Sequence, residues 1–147
     1  MNRRTPLAAT LVATALLAAP AFAGDAECSY LEIGASGGKT AIDAELKALE
    51  KKLTTPPLSA WTEFHKLSGG NASLDKLKAQ TLKLAQGGAS LLLRDRTDKR
   101  LELTVTMDDH SGKRVLDVKQ ALAVGNWAVW VASNAKAEGH ILALTCK

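Results

Sequence analysis

The residues of this chain that could do chemistry are few, and the densest group is the run DDHSG, Asp108–Gly112. Two carboxylates beside an imidazole could bind a divalent metal ion or form a proton-transfer pair. However, Asp, Ser and Gly are also the residues that a hairpin turn requires, and adjacent carboxylates in a strand point to opposite faces. We therefore predict a turn here, without a catalytic residue or metal ligand. Asp108, Asp109 and His110 are kept as predicted contacts for a partner.

The other two histidines give no stronger signal for chemistry. His65 and His140 stand alone in predicted strands, without the spacing of metal ligands to each other or to His110. We interpret both as ordinary surface or half-buried residues. The sequence thus predicts no enzyme, no metal site and no cofactor.

A second candidate is the segment EIGASGGKTAID, Glu32–Asp43, whose Gly-Lys-Thr resembles the end of a phosphate-binding loop. Such a loop needs a glycine five residues before Gly38, where this chain has Ile33. Gly34 comes one residue too late, and a shorter loop cannot wrap the phosphates in the same way. We predict no nucleotide binding. Lys39, beside the amides of a predicted helix start, is a predicted contact for an anionic group of a partner.

The tryptophans are candidates for contacts with another protein. Trp127 and Trp130 are three residues apart in a predicted strand, so their side chains face opposite sides of a sheet. One of them is expected in the core and the other on the outer face. An outward tryptophan can anchor a partner, and Trp130 is a predicted contact on that basis.

Charge argues against nucleic acid as a partner. The chain has 19 basic and 15 acidic residues, and the two kinds interleave, as in RDRTDKRLE at Arg94–Glu102. A nucleic-acid-binding domain gathers its positive charge on one face. We see no such block, and predict no binding to nucleic acid.

The first 23 residues have the pattern of a secretory signal peptide. Arg3 and Arg4 precede an apolar run, and AFA at Ala21–Ala23 provides the small residues that a signal peptidase requires. We predict removal of this leader, which leaves residues 24–147 as one periplasmic or secreted domain that does not span the membrane. Its two cysteines, Cys28 and Cys146, are expected to form a disulfide in that oxidising compartment.

The elements that position these residues are one helix and many strands. CSYLEIGA, Cys28–Ala35, alternates like a strand, and TAIDAELKALEKKL, Thr40–Leu53, carries a single apolar stripe that predicts a helix. From residue 59 onward the period changes to two, with a turn at Ser68–Asn71 and a hairpin folded at Gly87-Gly88. Residues 72–85 fit a short helix or a strand. The sequence predicts an α+β fold, a strand–helix–strand unit followed by an antiparallel meander in a curved sheet or sandwich, with the helix packed on the sheet.

The order of these elements resembles that of small secreted proteins of unknown function from myxobacteria-like genomes. The resemblance rests on the capped helix, the step KKLTTPPLSAWTEFHKLS at Lys51–Ser68, and the hairpins that follow. Leu58 stands where those proteins often have Phe. The resemblance implies the fold and an envelope location, and it implies no catalytic residue.

These observations lead to three hypotheses about function. The first is a non-catalytic exported protein that binds or assembles with another envelope or secreted protein through its sheet or loops. The second is an inhibitor of an extracellular hydrolase, a lysozyme or a protease, that presents a loop such as DDHSGKR, Asp108–Arg114, or SNAKAEG, Ser133–Gly139. The third and least favoured is a hydrolytic enzyme.

Overall fold

The computed structural model describes residues 24–132 and 138–147. The predicted signal peptide, residues 1–23, lies outside the described residues, as does most of the predicted loop at residues 133–139. The described chain forms nine strands: β1 (Ala26–Ser36), β2 (Ala41–Ile42), β3 (Glu63–Leu74), β4 (Ala79–Leu84), β5 (Gly87–Arg96), β6 (Arg100–Asp108), β7 (Arg114–Ala123), β8 (Trp127–Val131) and β9 (Glu138–Cys146).

The strands form two sheets. The five-stranded sheet has the order β2-β3-β1-β9-β8, and the four-stranded sheet is the meander β4-β5-β6-β7. All pairs are antiparallel except the short parallel pair of β2 with β3. Only the β4–β7 part of the predicted meander is therefore found, as the second layer of a sandwich, whereas β8 and β9, which were expected to continue it, lie in the five-stranded sheet.

Two apolar clusters hold the layers together. The larger lies between the two sheets and contains one face of β6, whose Leu101, Leu103, Val105 and Met107 are all fully buried. The smaller lies on the other face of the five-stranded sheet, beneath the segment between β2 and β3. Strand β9 contributes to both clusters, with Leu142 and Leu144 on one side and Ile141 and Ala143 on the other. This double burial explains why β9 is a continuous apolar run rather than an alternating one.

The predicted α+β class is wrong, because strands dominate and the molecule is closer to an all-β sandwich. The only α-helix in the described part is one turn, α1 (Glu50–Leu53), preceded by a 3-10 segment at Ala44–Leu49. The contacts of Asp43 explain why the helical segment starts later than predicted. Its backbone is extended and its N–H donates to the carbonyl of Phe64 at 3.1 Å, so the chain is still paired with β3 where the helix was expected.

The apolar stripe of the predicted helix nevertheless packs as expected. Leu46, Leu49 and Leu53 are fully buried against the five-stranded sheet. The stripe survives because Leu46 and Leu49 are three apart in the 3-10 segment, where such residues share a face, and Leu53 is four residues further on, across the α-helical turn.

Two turns also differ from the prediction. Ser68–Asn71 lies inside β3, where a Cβ on Gly70 would come within 3.0 Å of the hydroxyl oxygen of Tyr30. The glycines therefore serve close approach to Tyr30 rather than a reversal. The hairpin that was predicted to fold at Gly87-Gly88 instead turns at residues 85–86. Gly87 is already in β5, with a φ of 123°. Residues 72–85 form the end of β3, a short connection and β4, without a helix.

The predicted disulfide is confirmed. Cys28 and Cys146 lie directly opposite each other in β1 and β9, with Cα atoms 4.1 Å apart and an S–S bond of 2.07 Å. Both side chains are buried between the sheets. A disulfide fits an extracellular or periplasmic protein. Within residues 24–132 and 138–147, no helix has the length and apolar character needed to cross a membrane.

Candidate functional site

An open cleft of about 580 Å³ lies at one end of the sandwich, and we call it the end cleft. Both sheets line it, together with the turn between β6 and β7. Its lining consists of Gly34, Ala35, Ser36, His65, Leu67, Gln86, Asp109, His110, Lys113, Val115, Ala132, Glu138, Gly139 and His140. Clefts of this size are in the range that holds a small ligand or a side chain of a partner.

A buried carboxylate lies next to the end cleft. Glu32 is in β1, on the face that carries Cys28 and Tyr30 toward the four-stranded sheet, and it is fully buried. Opposite it, β3 has a bulge, because Glu32 faces Ser68 while Ile33 faces Lys66. The extra residue, Leu67, lines the cleft.

The Glu32 carboxylate is fully hydrogen-bonded by groups from three places in the fold. Oε2 accepts the hydroxyl of Ser68 at 2.5 Å and the amide of Ala85 at 2.6 Å. Oε1 accepts the amide of Gln86 at 2.9 Å and lies 2.8 Å from Nε2 of His140. The carboxylate thus fixes the turn between β4 and β5 to the five-stranded sheet.

These contacts decide the protonation state of Glu32. Burial disfavours the charged form and by itself raises the pKa. The hydrogen bonds from Ser68, Ala85, Gln86 and His140 outweigh burial, so the pKa of Glu32 lies below its ordinary value of 4.5. Glu32 is therefore a carboxylate at neutral pH, and Nε2 of His140 carries the hydrogen that it accepts.

His140 is an oriented imidazole in the wall of the cleft. It lies in β9 opposite Gly34 of β1, and it is 7 % exposed. A histidine held by a carboxylate is the arrangement that general base catalysis uses. A nucleophile would have to lie within hydrogen-bond reach of the ring.

Ser36 is the nearest candidate for such a nucleophile by motif. The segment Gly34–Gly38 has the spacing Gly-x-Ser-x-Gly of a nucleophile turn, a signal that the sequence-based predictions overlooked. In this fold β1 leads from Ser36 into a bend rather than a helix, and the hydroxyl of Ser36 lies 3.5 Å from Oε2 of Glu63. Among the described residues, the hydroxyl has this carboxylate and no imidazole as its side-chain partner, so the motif lacks both the strand-to-helix turn and the histidine that activates the serine of such a turn.

His65 is fixed between two carboxylates at the edge of the same cleft. Its Nδ1 lies 3.0 Å from Oδ1 of Asp43, and its Nε2 lies 2.6 Å from Oε1 of Glu63. The hydrogen bonds with Glu63 and then Asp43 raise the pKa of His65 above its ordinary value of 6.5. The pKa of Asp43 is lowered by the amide of Lys66 and by His65, and that of Glu63 is lowered chiefly by His65.

The DDHSG run forms the turn between β6 and β7, as the sequence indicated. Oδ1 of Asp109 accepts the amide and the hydroxyl of Ser111 at 2.9 and 2.6 Å and the amide of Lys113 at 3.0 Å. The hydrogen bond from the Ser111 hydroxyl, followed by that from Lys113, lowers the pKa of Asp109. Asp108 pairs with Arg114 at 2.6 Å across the base of the turn. The exposed His110 is therefore presented by a rigid turn.

The structure brings two of the five predicted contact residues to the end cleft. Asp109 and His110 line it, whereas Asp108 and Lys39 are not part of its lining. Trp130 is 7 % exposed in the inter-sheet cluster, and its Nε1 donates to Oε1 of Gln120 at 2.7 Å. This burial argues against Trp130 as an anchor for a partner. Trp127 packs on the opposite face, as predicted.

The sequence did not single out Glu32, His65 or His140 as parts of one site. One signal was present, since Glu32 shares the inward alternation of β1 with Cys28. Among the described residues, no group of three or more His, Cys, Asp or Glu side chains is arranged to hold a metal ion. Comparisons with protein-family models, curated proteins and solved structures found no match to this chain. The resemblance to small secreted proteins therefore stays a prediction.

Proposed function

We propose that this chain is an exported, non-catalytic binding protein that contacts another envelope or secreted protein with the end cleft and its rim. Export rests on the predicted leader at residues 1–23, and the disulfide fits a periplasmic or secreted location. The observation that carries the proposal is the four-fold hydrogen-bonded Glu32. It fixes both walls of the cleft, so a partner meets a surface that is already formed.

The composition of the end cleft supports a protein partner. Its lining includes the apolar side chains of Leu67 and Val115, while His110 and Lys113 are exposed at its rim. An apolar centre with a polar rim is the usual anatomy of a protein–protein interface. The rim is also rigid, because Asp109 fixes the turn that carries both exposed residues.

The side chains of the cleft support binding rather than turnover. Both ring nitrogens of His65 contact carboxylates, and Nε2 of His140 is engaged by Glu32. Glu32 itself holds a turn together through two amides. These groups are already used to build the walls, which disfavours a hydrolytic enzyme.

A paired set of variants tests the proposal. Lys113 and Lys99 are both exposed and lie in hairpin turns at opposite ends of the four-stranded sheet. The partner should be recovered from an envelope extract by the wild-type protein and by Lys99→Ala, and it should be lost with the double variant His110→Ala, Lys113→Ala. Equal recovery with all three proteins would exclude the end cleft as the binding surface.

The rigid turn also favours the second hypothesis, an inhibitor of an extracellular hydrolase. Three hydrogen bonds to one oxygen of Asp109 and the Asp108–Arg114 ion pair hold the turn in one shape. An inhibitor loop needs this rigidity to enter the active site of an enzyme without a large loss of entropy. Inhibition of a panel of lysozymes and proteases, abolished by His110→Ala with Lys113→Ala, would assign the turn this role.

A further inference from the structure

Strand β8 forms one edge of the five-stranded sheet, and the register shows which of its backbone groups face outward. The β8–β9 register ends with Val131 opposite Ile141, and the N–H of the next residue, Ala132, donates to the carbonyl of His140, so the pattern continues by one pair beyond the strand. Hydrogen-bonded pairs alternate along an antiparallel ladder, so the even-numbered residues of β8 bond to β9. The N–H and C=O groups of Trp127, Val129 and Val131 therefore face away from the sheet. Within the described residues, β8 pairs with β9 alone.

This edge differs from the other sheet edges in the described part of the chain. Native proteins protect edge strands with charged side chains, with very short strands or with a cover. Strand β7 carries Asp117 and Lys119, β4 carries Lys83, and β2 has only two residues. Strand β8 reads WAVWV, with no charged residue.

A groove of about 790 Å³ runs along the open edge, and we call it the β8 groove. One wall comes from the segment that carries Lys51, Lys52 and Thr55, and the other from the end of β7 at Gln120–Ala123. The hydrogen bond from Trp130 to Gln120 ties β8 to this second wall. The charged side chains of the described lining are both lysines.

We infer that the β8 groove binds an extended, acidic segment of a partner protein, which pairs with β8 as an added strand. The outward groups of Trp127, Val129 and Val131 supply main-chain hydrogen bonds of the kind used in β-augmentation. Lys51 and Lys52 select carboxylates next to the paired residues. The β8 groove shares no lining residue with the end cleft, so the inference does not depend on the proposed function.

The charge of the β8 groove also disfavours a second copy of the chain as its occupant. Two copies paired through β8 about a two-fold axis at Val129 would place both pairs of Lys51 and Lys52 on the same face of the joined sheet. Like charges repel there, whereas an acidic segment would be attracted.

The probe for the test is a fluorescein-labelled peptide of alternating valine and threonine with two glutamates at one end, compared with its counterpart carrying two lysines. Fluorescence anisotropy with the full exported protein should show the acidic peptide binding about tenfold more tightly than the basic one, the effect expected of two partly exposed charge contacts. Absence of saturable binding by the acidic peptide, or equal binding of both peptides, would overturn the inference.

Two variants locate the binding at β8. Val129→Pro removes an outward N–H without breaking the ladder to β9, and should abolish binding. Asp117→Pro makes the same change on the outward side of β7, outside the groove lining, and should leave binding unchanged. Should Val129→Pro fail to fold, Lys51→Glu with Lys52→Glu on the exposed segment should reverse the preference between the peptides. Unchanged preference in that variant, or concentration-dependent dimers of the wild-type chain that Val129→Pro dissolves, would refute the acidic-segment assignment.

Discussion

Nε2 of His140 lies 2.8 Å from Oε1 of Glu32, although the two residues are 108 positions apart in the sequence. The contact joins the last described strand to the first beside the end cleft. The same carboxylate also accepts the amides of Ala85 and Gln86, so one side chain connects β1, β9 and the turn of the four-stranded sheet.

Glu32→Gln should lower the free energy of unfolding by roughly 2–4 kcal/mol. The amide nitrogen of Gln would face donors that now bind a carboxylate oxygen, and a buried donor without an acceptor is costly. Urea denaturation at neutral pH measures the loss. Glu102→Gln is the control, since its 3.5 Å ion pair with Arg100 is exposed and should contribute under about 1 kcal/mol. Equal losses in both variants would contradict the role assigned to Glu32.

Acid should weaken the protein partly through the same carboxylate. The folded-state pKa of Glu32 lies below 4.5, so its contribution to stability is present above pH 4.5 and is lost as the pH falls through the folded-state pKa. The urea midpoint of the wild type should therefore fall more steeply on acidification than that of Glu32→Gln. Parallel curves for the two proteins would show that Glu32 does not titrate in this way.

The contacts of His65 should make the stability of the protein depend on pH with the opposite sign. Because its folded-state pKa lies above 6.5, its contribution is complete below pH 6.5 and is lost as the pH rises through the folded-state value. Urea midpoints between about pH 6 and 9 should decline in the wild type and stay flatter in His65→Gln. Asp43→Asn with Glu63→Gln should flatten the same region. A decline that persists in both variants would assign it to another group.

Loss of the disulfide should lower the free energy of unfolding by roughly 4–5 kcal/mol, because Cys28 and Cys146 close a loop with a sequence separation of 118. The measurement compares urea denaturation of the wild type with that of Cys28→Ala, Cys146→Ala. Thiol titration of the denatured, unreduced protein serves as the control and should find no free thiol. A loss below about 1 kcal/mol would mean that the unfolded chain is already restricted without the bond.

Leu49→Ala tests whether the segment before α1 is a structural layer. The side chain is fully buried against the five-stranded sheet, so its truncation should cost about 2–5 kcal/mol. Lys47→Ala, an exposed change two residues away in the same 3-10 segment, should cost under about 0.5 kcal/mol. If Leu49→Ala were equally mild, the segment would not contribute to the core.

The sequence predicted the parts of this fold that local alternation determines. The apolar residues that occupy every second position of β6 are all buried. The pairing of Cys28 with Cys146 followed from the even number of cysteines and the predicted oxidising compartment. The prediction from sequence failed where a strand distant in the chain determines the local structure. Asp43 looked like part of a helix, but hydrogen bonds with Phe64 and Lys66 keep its backbone extended. The glycines of Ser68–Asn71 looked like a turn until Tyr30 was placed beside them.

The site could not be predicted because its members come from strands far apart in the chain. His65, His110 and His140 have no common spacing, and only the pairing of β1 with β3 and β9 and the packing of the two sheets bring them to one cleft. Asp109 and His110 could be proposed from the sequence because a turn and a reactive group share the same residue types; both line the cleft, and their contact with a partner stays a prediction. Trp130 was predicted as an outward contact, but its side chain is buried. Alternation indicates that two side chains lie on opposite faces of a sheet, without indicating which face is covered.

The pairing of β1 with β9 at the centre of the five-stranded sheet has a consequence for folding kinetics. The meander β4-β5-β6-β7 joins neighbours in sequence and can form as soon as its hairpins are complete. The other sheet stays incomplete until Glu138–Cys146 docks, because β9 supplies the strand between β1 and β8. Until then β1 exposes an unpaired edge and a free Cys28 thiol. Contacts of this sequence separation slow folding, so we expect the five-stranded sheet and the native pairing of Cys28 with Cys146 to form after the meander.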